Sequence, residues 1–353
     1  MIYLEKNYLE ISFPELHDNA GVSISFKRTL RLPDDGETHH LPPDFGKFPL
    51  RHIEDFDLTT HNQLKKRGGI IMPMFQADAL WINFSPLNFT SDIIYPIAIK
   101  IGTGKICAVS GEDWSSTLNQ DPQDYVVAPS QPWIDGYNVG KDKIRQFVAT
   151  PLGEGYTAEE QLTGEASVGG IQIQAFPMKK EYYNELEKEY YDEMKKKYYD
   201  EMNEVAPVQK SMINACAVEP LSNSPSMGLA PGGSMHQTIY EDVHGLDAWD
   251  HRKSERCFVT IANANQWMGI TGEEPPFRSH TAHEYTKAGL PWFDHYDGDK
   301  AAIAGAKRLK KIKTIKNIKP KTGKKLWKED YDLPITDPKV VSTNKRVVNG
   351  GEW

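Results

Sequence analysis

Carboxylates beside aromatic rings and side-chain amides are the groups in this sequence best suited to chemistry. GEDW (residues 111–114), DPQDY (121–125), QPWIDG (131–136) and EEQLTGE (159–165) put acids and amides near Trp or Tyr at expected strand ends. An aromatic face stacks on a sugar while carboxylates and amides take its hydroxyls, so the mixture suits a carbohydrate or another polar small molecule. Asp135 and Glu165 could serve as acid and base of a glycosidase, the separation between them deciding. Glu160, Asp242 and Asp250 complete the candidate acids, and Gln131, Trp133, Gln161, Gln237, Tyr240 and Trp249 are candidate ligand contacts. The plainer use of the same residues is structural: Asp-Gly and Pro-Trp steps occur where strands turn, with the Trp buried.

A second cluster raises metal chemistry. SMHQTIYEDVHGLDAWDHR (234–252) carries His236, His244 and His251 among Asp242, Asp247 and Asp250. The histidines are 8 and 7 residues apart, neither the i,i+4 of a helical zinc site nor the i,i+2 of one strand face. Asp242-Val-His-Gly lacks the acidic positions of a calcium loop. No metal is therefore expected. Nucleophile and cofactor signatures are missing from the sequence too: there is no G-x-S-x-G, no P-loop and no dinucleotide fingerprint. Gly102-Thr-Gly104 reads as a bulge or turn, because no helix start follows it.

Bulk properties narrow the classes. The 353 residues carry a net charge of −8, with nothing that draws the whole chain to nucleic acid or an anionic membrane. Residues 307–325, KRLKKIKTIKNIKPKTGKK, are strongly basic and are followed by Trp327. Phosphate contact is one use of such a run. A solvated face, or pairing with an acidic patch of the same protein, fits the acidic chain better, so nucleic acid is not expected as a partner. Three widely spaced cysteines, Cys107, Cys216 and Cys257, suit buried thiols in a reduced compartment. MIYLEKNYLEISF shows no basic segment followed by an apolar core, and no window approaches the ~18 apolar residues of a membrane helix. A soluble, cytoplasmic protein is the expectation.

The elements that would position these groups read as mainly β. YLEISFPEL and AGVSISFKRTLRL alternate about a HDNAG turn. LPDDGETHHLPPDFGKFPL is loop-like, with His39 and His40 expected in solvent. Short β-branched and aromatic runs then recur between Gly, Pro and Asp without amphipathic helices, which predicts a sandwich or distorted barrel with minor α structure. Thr157 followed by Glu160 marks a short capped helix from Ala158. The exception is EYYNELEK-EYYDEMKK-KYYDEMNE, three octads from Glu181 to Glu204. Tyr183, Leu186, Tyr190, Met194, Tyr198 and Met202 fall on one face of a long helix. An eight-residue repeat turns this face by ~80° per octad, so no straight coiled-coil seam is kept. The helix either lies against the body or projects to dock on a neighbouring subunit. The expected organisation is a β-rich part over 1–178, a helical insertion over 179–206, completion of the β body over 207–300, and a basic, then extended, tail over 301–353. Within the basic run, helix and edge strand fit equally well.

Several blocks carry a resemblance. RTLRLPDDGETHHLPPDFGKFPL, MPMFQADALWINF, DPQDYVVAPSQPWIDG, GYTAEEQLTGE and MGLAPGGSMHQTIYEDVHGLDAWD resemble a family of uncharacterised bacterial and fungal proteins, over roughly residues 28–297. The resemblance implies no activity. The family's pattern covers Gly232, Gly233, Met235, Gln237, Ile239, Tyr240, Asp242, Gly245, Trp249 and Asp250, and leaves the three histidines on variable positions. The octads lie outside it.

Two functional readings follow, with catalysis undecided. The first is a non-enzymatic binding or self-assembling structural protein. Its Trp/Asp/Gln-rich turns, and the Glu181–Glu204 helix, would be contact surfaces. The alternative is a carbohydrate-active or other hydrolase using paired carboxylates. No cofactor is called for in either.

Overall fold

The computed structural model describes residues 1–56, 62–87, 93–166, 168–200, 227–276, 280–294, 300–323 and 333–342. Its first hairpin shows how local chemistry sets the β architecture. Ile2–Glu5 pairs antiparallel with Tyr8–Ser12, so that Glu5 faces Tyr8. The two residues between, Lys6 and Asn7, have φ of 48° and 66°. That is the left-handed conformation a two-residue hairpin turn requires, and Asn tolerates it better than most residues. Leu9 and Ile11 then point inward while their neighbours are half-buried, the alternation visible in YLEIS.

From this hairpin one sheet of 16 strands develops. Its path runs through Gly21–Thr29, Ala79–Pro86, Lys143–Pro151, Met227–His236, Glu255–Ala262, Ile171–Pro177 and Ile97–Thr103 to Val126–Ala128. Most pairings are antiparallel. Thr38–His39 and Ile70–Pro73 add parallel to Met227–His236 and Glu255–Ala262. Every residue of Ile97–Thr103 and of Ile171–Pro177 is buried. Successive side chains of a strand point to opposite faces, so both faces of these central strands are covered. With few helices available, the sheet covers itself, as expected of a sandwich or distorted barrel. One apolar cluster runs from Leu9 and Ile24 through Ile97 and Ile171 to Leu309.

The parallel strand Thr38–His39 changes the expectation for one histidine. His39 is buried rather than solvated, with Nε2 3.0 Å from Asp35 Oδ1. Joining the sheet edge beside Ser234 and Met235 carries it out of water.

Five α-helices decorate the sheet among the described residues: α1 (Asn62–Arg67), α2 (Ala158–Thr163), α3 (Lys180–Asp200), α4 (Ala264–Thr271) and α5 (Ala282–Lys287). At α2 the anticipated capping box forms, Thr157 Oγ1 accepting from Glu160 N and Glu160 Oε2 accepting from Thr157 N. The helix α3 covers most of the octad repeat; residues 201–206 of the expected insertion lie outside the described residues. None of these helices is long and apolar enough to cross a membrane.

Residues 307–321 take neither form left open by the sequence. Two single 3-10 turns, Leu309–Lys311 and Ile315–Asn317, are joined by extended chain. Leu309, Ile312 and Ile315 are buried beneath them. The extended residues Ile312 and Thr314 between the turns interrupt any helical period, so the burial of these three side chains is set by the surface the strap grips. Upstream the strap lies flush on the Gly136–Gly140 strand: a Cβ on Gly305 would come 2.2 Å from the Gly140 nitrogen. Lys324, Lys325 and Trp327 lie outside the described residues.

Candidate functional site

Of the acid- and amide-rich stretches, 121–125 and 131–136 meet the 234–252 cluster. Residues 123–135 and 237–242 run side by side, and glutamine side chains join them in place of a backbone ladder. Gln123 Nε2 donates to the carbonyls of Tyr125 (2.9 Å) and Tyr240 (3.1 Å), and its Oε1 accepts from Asp242 N (2.9 Å). Gln131 Nε2 donates to Trp133 O (3.0 Å) and Thr238 O (3.2 Å), and its Oε1 accepts from Tyr240 N (3.0 Å). Gln237 repeats the arrangement in reverse. Its Oε1 accepts from Asp135 N (3.0 Å), and its Nε2 donates to Asp135 Oδ2 (2.8 Å). A glutamine amide has the donor and acceptor of a peptide group, so each one supplies the missing rung of a strand pair.

The carboxylates at this corner are similarly engaged. Asp242 Oδ2 accepts from Tyr125 OH (2.6 Å) and from Trp249 Nε1 (2.9 Å), while Oδ1 accepts from His244 N (2.9 Å). The Trp249 indole is fully buried, and a buried N–H without an acceptor would cost ~1–3 kcal/mol. Burial and the Asp242 carboxylate push the Tyr125 phenol well up. Burial also holds His244 below the usual histidine range, against the pull of Asp242. Asp135 is enclosed, and burial raises its carboxyl to about 7, opposed by a hydrogen bond from the Trp133 side chain. Asp250 Oδ1 accepts from Arg252 N at 3.0 Å, a local turn contact. The loop carrying Gln123 is fixed from below: Lys100, fully buried, donates to Asp124 Oδ2 (2.5 Å), Ser115 Oγ (2.8 Å) and Thr117 O (2.6 Å).

The stretch 159–165 does not join this corner. Glu160 accepts from Gly153 N (2.8 Å) and Gly155 N (2.9 Å) with one oxygen, and from Thr157 N and Oγ1 with the other. Gln161 holds the strap, donating to Lys313 O (2.9 Å) and accepting from Lys313 N (2.6 Å). Glu165 is exposed and pairs with Lys105 at 2.7 Å. Asp135 in the core and Glu165 at the surface therefore share no pocket. The histidines also diverge: His236 neighbours His40, His244 abuts Trp249 edge-on and His251 abuts Phe176. Among the described residues no group of three His, Cys, Asp or Glu side chains is placed to hold a metal.

Volume separates the remaining options. The cavity bounded by Gln131, Trp133, Gln237 and Tyr240 holds 10 Å³. That is about the space of one water, against roughly 300–1,000 Å³ for a small-molecule site. A larger cleft of 670 Å³ opens on the other side of Gln123 and Asp242, between the 120–123 loop and residues 303–307. Glu112, Asp121, Glu241 and Lys307 line it. Arg308 neutralises Glu112 (3.0 Å) and the neighbouring Asp113 (2.9 Å). Its lining offers acceptors for a hydroxyl or amine. Gln123 was the residue that motif reading passed over; its position eight residues ahead of Gln131, in a matching Q-x-aromatic context, is the signal in the sequence.

Comparison with known proteins adds no assignment: no family model, no curated protein and no solved structure matches the chain.

Proposed function

We propose that this is a non-enzymatic, self-assembling binding protein whose association element is α3. The observation that carries the reading is the way α3 leaves the body. Its root is fixed: Lys179 N donates to Ala248 O (2.8 Å), and the buried Tyr183 ring lies 4.3 Å from Tyr95 and 4.9 Å from His17. Leu186 is the next residue to pack on the core. Beyond it, no α3 side chain that the structure describes is buried, and Tyr191 and Met194 are 44% and 45% exposed. The 14 residues of α3 beyond Leu186 are about the length at which a helix without tertiary contacts is marginal in water, and helical stability then comes from packing an apolar face. A Tyr/Met face carried past the edge of the body gains that packing from another surface.

The fate of the proposed acids supports the same reading over hydrolysis. Glu160 and Asp242 accept from backbone and indole N–H groups, and Glu165 is paired at the surface. A general acid–base pair needs two carboxyls facing one accessible bond. Sedimentation equilibrium of the full chain tests the proposal. Concentration-dependent association is expected in the micromolar range, and Tyr191→Ser with Met194→Ser should weaken it at least tenfold. A monomer at every concentration would overturn the reading.

A further inference from the structure

The strap that closes the C-terminal part of the described chain presents an unusual surface. Its apolar residues go inward, so its lysines go outward: Lys307, Lys310, Lys311, Lys313, Lys316, Lys319 and Lys321 are all exposed. Among the described residues, none of these side chains forms an ion pair, whereas Arg308 in the same strap forms two. On an acidic chain this is a fixed cluster of uncompensated positive charge. The packing of Leu309, Ile312 and Ile315 and the Gln161–Lys313 hydrogen bonds hold it in place.

Between the strap and α2 lies a groove of 780 Å³. Leu162, Ile312 and Ile318 give it an apolar lining, and Lys311, Lys313, Lys319 and Lys321 supply its charge. Glu154, the carboxylate on that lining, already accepts from Thr322 N (3.1 Å) and Oγ1 (3.3 Å). An α-helix about 10 Å across occupies roughly 420 Å³ per turn, so the groove has room for about two turns. Its complement is therefore a short amphipathic helix with an apolar face and acidic flanks.

The same chain carries such a helix. Along α3, Tyr190 and Met194 continue the stripe begun by Tyr183 and Leu186. At 100° per residue, Glu187 flanks that stripe on one side and Glu189 lies off the other, while Glu185 falls on the opposite face. Glu185 and Glu189 are exposed, with Lys188 as the interleaved base. The eight residues 187–194 make about two turns, the length the groove accepts. We infer that the strap groove is the receiving surface for α3 of a second copy of this chain, in a helix-to-groove contact steered by charge. The inference rests on the self-assembly reading above and adds the partner surface to it. The contact is heterologous, so it closes only if two copies engage reciprocally and otherwise propagates along a chain of copies.

Charge exchange tests it on the full-length protein. One variant carries Lys311→Glu, Lys313→Glu and Lys319→Glu; the other carries Glu187→Lys and Glu189→Lys. The substituted side chains lie outside the core, and circular dichroism with a denaturant midpoint verifies that both variants fold. In sedimentation velocity each alone should associate at least tenfold more weakly than the parent. Their equimolar mixture should regain association, because each acidic surface then meets a basic one. Raising salt from 0.1 to 1 M should weaken the parent. If the parent associates and the strap variant associates equally well, the groove is not the receiver, while the self-assembly reading survives. If the parent is monomeric, that reading fails and takes the groove with it. If the mixture stays dissociated while the parent binds inorganic polyphosphate through the strap, the groove serves a phosphate polymer instead and the inference is overturned.

Discussion

The corner formed by residues 123–135 and 237–250 and the surface formed by α3 and the strap are both rich in polar and aromatic side chains, in opposite conditions. At the corner, glutamines and carboxylates are paired to backbone groups, the Tyr125 hydroxyl or the Trp249 indole N–H within 2.6–3.3 Å. On α3 and the strap, aromatic rings and lysines face outward. The difference teaches where binding capacity resides. A polar group whose hydrogen bonds are complete has little left to give a ligand, and breaking them costs the fold. A charge or apolar face without an internal partner can change its surroundings at small cost to the fold. Site-like residue types are therefore a poor guide, and unspent bonding capacity a better one.

The comparison breaks most visibly at Asp242. Asp242→Ala leaves the Tyr125 hydroxyl, the Trp249 indole and the His244 amide without their acceptor. A loss on the order of 3 kcal/mol is expected in chemical denaturation, with association intact once folded variants are compared. An Asp242→Ala variant of parental stability would put this carboxylate among the ligand-facing groups instead.

Asp135 gives the next effect, and its sign is fixed by burial. Its carboxyl titrates near 4 in the unfolded chain and at about 7 in the folded one. The folded state therefore holds the extra proton between these values, and the stability that neutral Asp135 contributes is lost as pH rises through that window. Relative to Asp135→Asn, the parent should lose on the order of 2–3 kcal/mol between pH 5 and pH 7. His244, held low, carries the opposite slope in both proteins and cancels in the difference. Denaturant midpoints at the two pH values measure it, and parallel profiles would mean that Asp135 is charged and solvated. The smallest change in stability is expected on α3: Tyr191→Ser with Met194→Ser should move the midpoint by no more than ~0.5 kcal/mol, while association falls.

These contrasts also separate what was legible in the sequence from what was not. The inward alternation of Leu9 and Ile11, the Thr157–Glu160 capping box and the helical form of the octads over Lys180–Asp200 are local patterns, and all three are readable from neighbouring residues. The role of Gln131, Gln237 and Asp135 is not local. Gln237 completes a peptide pair with a strand 102 residues earlier, and the amide that would grip a sugar hydroxyl is chemically the amide that replaces a ladder rung. The strap is neither helix nor edge strand, because its form is set by the surface it grips. The burial of His39 leaves no trace in the sequence, because a two-residue parallel strand has no period. The acidic flanks of α3 and the outward lysines were plain in composition. Their relation appears only once the strap's isoleucines are seen turned inward.

Hydrogen–deuterium exchange followed by mass spectrometry, on dilute and on concentrated full-length protein, tests the division between scaffold and binding surface most directly. Added protection on association is expected in 180–200 and 307–321, with residues 123–135 and 237–250 slow and unchanged at both concentrations. Protection that appears at the glutamine corner and leaves α3 and the strap unaltered would contradict it.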